Sequence, residues 1–192
     1  MAMPVFRRIL ILLFHPDAAW SGIAAERVTL DGLLRIWILP FSLIAPVMLA
    51  IGTTVFDQTW NPALGYAVLP RGIYPVVLGT FLSSVAAVFM LAGIFSWIAP
   101  SFGPKPGFMT ALKVAVFGSV PLWLASALLF LMPMIIAVLF AFLYSCYQYY
   151  IGVAKVLGIA ADRAAEFVAI SLLLLSLALM LAGSAGSWVG LL

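Results

Sequence analysis

The sequence predicts an all-α integral membrane protein in which five transmembrane helices follow a short segment of amphipathic interfacial helices. Hydrophobic residues make up 66% of the 192 residues, charged residues only 8%, and the mean hydropathy is +1.26. Soluble domains are about half apolar and about a quarter charged, so this composition indicates the membrane class. Five apolar runs, each about 20 residues long, are the second observation. The third is a one-sided distribution of lysine and arginine.

Residues 1–31 form a predicted cytoplasmic segment that lies along the membrane surface. Its first helix has four apolar residues at helical spacing and two arginines that can reach lipid headgroups: Val5, Ile9, Leu12 and Leu13, with Arg7 and Arg8. In its second helix, Pro16 suits the first turn and Asp17 suits the positive end of the helix dipole. We expect the segment to be held in the leaflet by four side chains: Phe6, Leu12, Trp20 and Ile23.

Residues 32–192 form the predicted five-helix domain. We place the spans at about 33–56, 73–98, 109–131, 133–154 and 165–186. Met132-Pro133 leaves almost no loop between the third and fourth spans, and a charged connection of residues 155–166 precedes the fifth. Pro121 lies in the middle of the third span, where its missing amide hydrogen predicts a kink that faces protein rather than lipid.

Positive charge predicts the orientation of all five spans. If the N-terminus is cytoplasmic, Arg71 is the only lysine or arginine outside, and eight lie inside: Arg7, Arg8, Arg27, Arg35, Lys105, Lys113, Lys155 and Arg163. Because cytoplasmic loops carry the excess of lysine and arginine, we expect the N-terminus in the cytoplasm and the C-terminus outside.

The candidate functional residues lie on the third and fourth spans, near their cytoplasmic ends. This polar seam consists of Lys113, Gly118, Pro121, Tyr144, Gln148 and Gly152. Tyr144 and Gln148 are four residues apart and share a helix face, which Gly152 and Lys155 continue. The face could line a cytoplasmic crevice, or form an aromatic belt at the headgroups in which Gln148 bonds to an adjacent helix. Lys113 lies within snorkelling reach of the headgroups.

The sequence offers no catalytic constellation. Its single cysteine, Cys146, and its single histidine, His15, are far apart, and one histidine cannot form a multi-histidine metal site within a protomer. Nucleotide-binding and metalloprotease motifs are absent from the sequence. We therefore expect a protein that is not an enzyme, with no cofactor and no metal, and we expect no nucleic-acid partner because the positive residues serve as topology signals.

The central hairpin carries a recognisable set of short motifs: Ala111-Leu112-Lys113, Gly118-Ser119-Val120-Pro121, Tyr144-Ser145-Cys146-Tyr147 and Gly152, followed by a short charged connection and a last apolar span. This pattern resembles the Yip family of five-span membrane proteins, named in eukaryotes for interaction with Ypt/Rab GTPases. It covers about Pro16 to Leu181 and is greatest with the bacterial branch. The acidic-Leu-x-Gly-Pro element that precedes the first span of eukaryotic members is absent here.

Two functions follow as hypotheses. The resemblance implies a non-enzymatic scaffold or adaptor of the bacterial inner membrane, which acts in membrane organisation or a trafficking-like process. Its partners would be the lipid bilayer, a protein at the cytoplasmic face, or a second copy of the chain. The alternative is a small permease or channel whose path follows the Pro121 kink and the Tyr144/Gln148 seam.

Overall fold

The computed structural model describes residues 4–55, 60–61, 66–67, 73–128 and 135–188 of the chain. The predicted turn at Met132-Pro133 lies outside these residues. Apart from two paired two-residue strands, β1 (Trp60–Asn61) and β2 (Tyr66–Ala67), the described secondary structure is helical.

Nine α-helices follow one another along the described chain. They are α1 (Val5–Phe14), α2 (Pro16–Ala25), α3 (Leu30–Leu33), α4 (Leu39–Ser42), α5 (Ile44–Val55), α6 (Ile73–Ile98), α7 (Phe108–Ala125), α8 (Ile135–Gly152) and α9 (Ala161–Trp188). Five helical stretches are long and apolar enough to cross a membrane: Leu30–Gly52, Ile73–Phe102, Phe108–Leu128, Ile136–Leu157 and Ala161–Ala182. The prediction of an all-α protein with five such helices is confirmed.

The first of these stretches is a single irregular helix built from α3, α4 and α5. A π-helical turn at Leu34–Ile38 joins α3 to α4, and the amide of Leu39 bonds to the carbonyl of Leu34, five residues earlier. The next residue is Pro40, which has no amide hydrogen and crowds the preceding turn of a helix. The wider π turn accommodates this proline without ending the helix.

Helix α7 is the centre of the bundle. In the most apolar 18-residue segment of its stretch, 72% of the residues are buried within the protein, whereas the corresponding share in the other four stretches is 17% to 33%. It packs mainly against α6 and α8, and it also contacts the first span. A helix surrounded by its neighbours can carry polar side chains, because those neighbours supply hydrogen-bond partners that lipid cannot.

The connection between α8 and α9 is shorter than the sequence predicts. A π-helical turn extends α8 through Val153–Leu157, and α9 already begins at Ala161. Between them Gly158 adopts a φ of +76°, a left-handed conformation that costs glycine little, and the Ile159 amide bonds to the Val153 carbonyl. Most of the predicted charged connection, residues 155–166, is therefore helical.

Helices α1 and α2, together called the N-terminal helix pair, pack onto the bundle. Leu12 and Trp20 are fully buried and Ile23 is 3% exposed, and all three belong to the same core cluster as the membrane helices. The prediction that these three side chains contact lipid is wrong, because protein covers them. Phe6, the fourth predicted anchor, is 71% exposed. That the segment lies at the membrane surface stays a prediction.

Candidate functional site

Gln148 is the centre of the contact between the N-terminal helix pair and the membrane helices. Its side chain is fully buried, and both ends of its amide are used. The Trp20 Nε1–H donates to Gln148 Oε1 at 2.7 Å, and Gln148 Nε2 donates to the carbonyl of Leu12 at 2.7 Å. One side chain on α8 thus binds both helices of the pair.

Tyr144 binds α1 one turn away from Gln148. Its hydroxyl donates to the carbonyl of Leu13 at 2.5 Å. The last four carbonyls of a helix have no partner within that helix, and α1 ends at Phe14. Tyr144 and Gln148 therefore cap the C-terminus of α1 with side chains from α8.

Lys113 does the same for α2 from the first turns of α7. Its side chain is only 7% exposed, and Nζ donates to the carbonyls of Ile23 at 2.9 Å and Glu26 at 2.7 Å. A third carbonyl, that of Ala24, lies at 3.5 Å. A cation at a helix C-terminus also interacts favourably with the helix dipole. Lys113 thus binds the end of α2 in place of the headgroups that the sequence suggested.

Lys155 makes an exposed contact with the other end of α2. Its Nζ lies 2.8 Å from Asp17 Oδ1 and donates to the Ser21 hydroxyl at 3.1 Å. The side chains of Lys155 and Asp17 are 31% and 77% exposed, so water competes for this ion pair. Pairs of this kind contribute about 0–1 kcal/mol. Lys155 extends the polar seam but binds the pair more weakly than Lys113.

Gly152 lets the N-terminal helix pair approach α8 closely. A Cβ atom at this position would lie 2.7 Å from Cη2 of the Trp20 ring and 2.9 Å from its Cζ3. Both distances are shorter than van der Waals contact, so a side chain here would displace the indole. The indole therefore lies directly over the backbone of α8, one turn beyond Gln148.

Arg8 connects α1 to the first span and to α7. It pairs with Glu26, which follows α2, and its guanidinium lies 4.5 Å from the ring centroid of Phe117 and 5.7 Å from that of Trp37. The rings cover the cation and the carboxylate neutralises it, which is how a charge is accommodated near apolar helices. The sequence alone did not distinguish Arg8 from Arg7, which is exposed.

Gly118 belongs to a separate contact, deeper in the bundle, between α7 and α8. A Cβ atom at Gly118 would overlap the ring of Tyr149. The neighbouring Ser119 hydroxyl lies 2.7 Å from the Tyr149 hydroxyl and donates its only proton to the carbonyl of Ala115 at 2.8 Å. Tyr149 must therefore be the donor to Ser119. This hydrogen bond and the flat glycine surface join the two helices tightly.

Pro121 is buried within α7, which continues through it as far as Ala125. This burial agrees with the expectation that the proline faces protein. The predicted kink stays a prediction.

The structure divides the predicted seam into two contacts. Four of its residues contact the N-terminal helix pair: Lys113, Tyr144, Gln148 and Gly152. Gly118 and Pro121 lie inside the α7–α8 packing instead. Trp20 and Arg8 complete the first contact, and sequence reasoning missed both as polar partners. Helical spacing alone could have placed them on inward faces, but not against Gln148 and Phe117.

The arrangement supplies hydrogen bonds and close packing rather than reactive groups. Each polar atom of Gln148 and Lys113 that is described above binds a group of the same chain. Among the described residues, histidine, cysteine and carboxylate side chains form no group of three that could hold a metal ion.

A comparison with known protein families matches the same region of the chain. The family model described as the Yip1 domain covers residues 10–183, which include the second half of α1, all of α2 and all five apolar stretches. The chain belongs to the Yip1 domain family. No curated protein and no solved structure matches the chain. The Yip1 domain thus includes, besides the membrane helices, part of the N-terminal helix pair that packs on them.

Lys113 and Lys155, the two lysines of this Yip1 domain that contact α2, should differ in their effect on stability. We expect Lys113→Met to lower the free energy of unfolding by about 2 kcal/mol, because the loss of a buried charged donor leaves carbonyls at the end of α2 unpaired. The matched change Lys155→Met should cost at most about 1 kcal/mol, because that pair is exposed. Denaturant titration in detergent micelles would measure both. Equal losses for the two variants would contradict the assignment of Lys113 as the main cap of α2.

Proposed function

We propose that this Yip1-domain protein is a non-enzymatic scaffold or adaptor of a bacterial inner membrane, oriented with its N-terminus in the cytoplasm and its C-terminus outside. In this proposal the docked N-terminal helix pair is the cytoplasmic surface that a protein partner contacts. The membrane helices position the pair, and the pair presents the surface.

The observation that carries the proposal is that both ends of the buried Gln148 amide bind groups of the same chain. A buried amide in a catalytic or transport site needs a free donor or acceptor for its substrate. Here the oxygen of the amide accepts from Trp20 and its nitrogen donates to Leu12. The polar side chains that a catalytic or transport site would use therefore hold two short helices in place, which supports a role in presenting a surface.

The exposed face of α2 has the composition of a surface for reversible protein contact. It carries small and polar side chains that are exposed to solvent: Asp17, Ala18, Ser21, Gly22 and Ala25. Large apolar residues of α2 point the other way, since Trp20 and Ile23 are buried. Transient interfaces are about as polar as the rest of a protein surface, so a face of this kind can bind a partner and release it.

The permease alternative meets an obstacle in the same contact. A path along Tyr144 and Gln148 would have to pass the place that the Trp20 ring and the end of α1 occupy. Transport along this route would require the helix pair to leave the bundle. The adaptor role needs no such movement.

Site-specific photo-crosslinking tests the proposal. A photoreactive amino acid in place of Ala18, on the exposed face of α2, should crosslink a defined cytoplasmic or membrane protein in native membranes. The same probe at Leu177, on the exposed face of α9, serves as the control and should not capture that protein. Gln148→Leu should reduce the Ala18 crosslink by undocking the pair, whereas Tyr147→Phe should leave it unchanged.

Two results would overturn the proposal. The first is that the photoreactive residue in place of Ala18 crosslinks no protein in any membrane preparation in which the variant folds. The second is a solute flux into liposomes that contain the purified protein, if Gln148→Leu changes this flux and Tyr147→Phe does not. The second result would favour the permease.

A further inference from the structure

Helix α1 has two apolar faces, of which the bundle covers only one. The covered face includes Leu12, which is fully buried, together with the partly buried Val5 and Ile9. The other face carries Phe6, Leu10 and Phe14, whose exposed fractions are 71%, 39% and 72%. These three residues are four apart in sequence, so they form one continuous stripe along the helix. We call them the outer stripe.

The position of α1 along the membrane helices indicates what lies next to the outer stripe. Its Arg8 lies over the ring of Phe117, nine residues after the start of α7, which is about 13 Å along the helix at 1.5 Å per residue. Its Leu12 carbonyl binds Gln148, nine residues before the end of the fourth apolar stretch at Leu157. Helix α1 therefore lies alongside the apolar stretches, about two and a half turns inside their ends, rather than beyond them, so its uncovered side adjoins the apolar surface of the membrane-crossing helices.

The lipid-facing surface of the first span adjoins α1. Arg8 also lies over Trp37 of that span. The residue before Trp37, Ile36, is 49% exposed, and Leu39 is 40% exposed. Both side chains lie on a helix that is long and apolar enough to cross a membrane, where lipid is the expected neighbour of exposed apolar side chains. The outer stripe extends this apolar surface at the end of the bundle.

The charges of α1 suit an anionic lipid surface. The helix VFRRILILLF contains two arginines and no acidic residue. Arg8 is turned inward to Glu26, and Arg7, next to Phe6, remains exposed. Helix α2 differs, since its exposed face carries Asp17 and Ser21 and no large apolar side chain. An apolar stripe with a flanking arginine is the pattern of a helix that lies in a membrane interface.

We infer that the outer stripe of α1 inserts into the leaflet at this end of the bundle, with Arg7 among anionic headgroups. This goes beyond the adaptor role, because it assigns the lipid surface to α1 and leaves the water-facing side of the pair to α2. The pair is then held on two sides, by protein at Leu12 and by lipid at Phe6, Leu10 and Phe14.

Spin labelling of the full-length chain in liposomes that contain phosphatidylglycerol tests this inference. Single cysteines would be introduced as Phe6→Cys, Leu10→Cys and Phe14→Cys in a Cys146→Ser background, with Ala18→Cys on α2 as the matched control. At the three stripe positions, collisions with dissolved oxygen should exceed those with a water-soluble nickel complex several-fold. At Ala18 the ratio should be reversed.

Two outcomes overturn the inference. Nickel collision rates at the stripe that equal the rate at Ala18 mean that water covers the face. Labels that are immobilised and reached by neither reagent mean that protein, including a second copy of the chain, covers it. Protection of α1 from protease in each labelled variant verifies that the pair is still docked.

Discussion

Replacing Gly118 by alanine is expected to lower the free energy of unfolding by about 3 kcal/mol, because overpacking of a tight core contact costs about 1–3 kcal/mol and a buried hydrogen bond is lost with it. The added methyl group would overlap the Tyr149 ring. That ring cannot turn away easily, since its hydroxyl bonds to Ser119 and its edge packs against Phe95 at a centroid distance of 5.9 Å. Helices α7 and α8 must therefore separate.

Gly93→Ala is the matched control for Gly118→Ala. Gly93 also lies inside a membrane helix, α6, but a Cβ atom there would meet nothing within 4 Å. The control should leave the free energy of unfolding unchanged or raise it by up to about 1 kcal/mol, because the added methyl group meets no atom and alanine is the better helix former. Unfolding of both variants in mixed micelles of mild detergent and dodecyl sulfate would measure the difference. A Gly118→Ala protein as stable as Gly93→Ala would mean that the α7–α8 contact is looser than described.

The number of membrane helices could be predicted because lipid limits the choices. Inside a bilayer every backbone polar group must find its partner within the chain, so a long apolar run has to be a helix. The spacing of Tyr144, Gln148 and Gly152 likewise predicted that they share a face, because this follows from the helical repeat alone. In the structure all three residues contact the N-terminal helix pair.

The partner of that face could not be predicted from the sequence. Trp20 and Gln148 are 128 residues apart, and no local pattern relates them. Tryptophan has an apolar body and a polar edge, so the sequence equally allows a headgroup anchor and a buried hydrogen-bond donor. The choice depends on whether α2 meets lipid or protein, which only the packing of the whole chain decides.

Helix α1 presents the same ambiguity in a sharper form. Leu12 on one face and Phe6 on the other are equally good apolar residues at helical spacing, so periodicity does not say which face meets protein. In the structure Leu12 packs against the bundle, whereas Leu10 and the two phenylalanines, Phe6 and Phe14, are exposed. Glycines are ambiguous for a similar reason, since Gly118 and Gly152 are contact sites and Gly93 is not.

Gln148→Leu is expected to undock the N-terminal helix pair while the five membrane helices stay folded. Leucine fills a similar volume but leaves the Trp20 Nε1–H and the Leu12 carbonyl without partners in a fully buried place. Each unpaired buried group costs about 1–3 kcal/mol, so the docked state should lose about 3 kcal/mol. Hydrogen exchange of the amides in Val5–Ala25 should then become about 100-fold faster, because a loss of about 2.7 kcal/mol corresponds to a hundredfold change in an equilibrium constant. Exchange in α7 should change little.

A double-mutant cycle separates the loss of this hydrogen bond from a general disturbance of α8. Trp20→Phe removes the donor and leaves Gln148 Oε1 unpaired, whereas Trp20→Phe combined with Gln148→Leu removes both partners. The double variant should be less destabilised than the sum of the single variants by about 1 kcal/mol, because contacting pairs couple by about 0.5–3 kcal/mol. Tyr147→Phe, at a ring that is 45% exposed on the same helix, should show no coupling with Trp20→Phe. If the effects of Trp20→Phe and Gln148→Leu simply add, the hydrogen bond does not hold the pair. Docking of the pair would then depend mainly on Lys113 and Arg8.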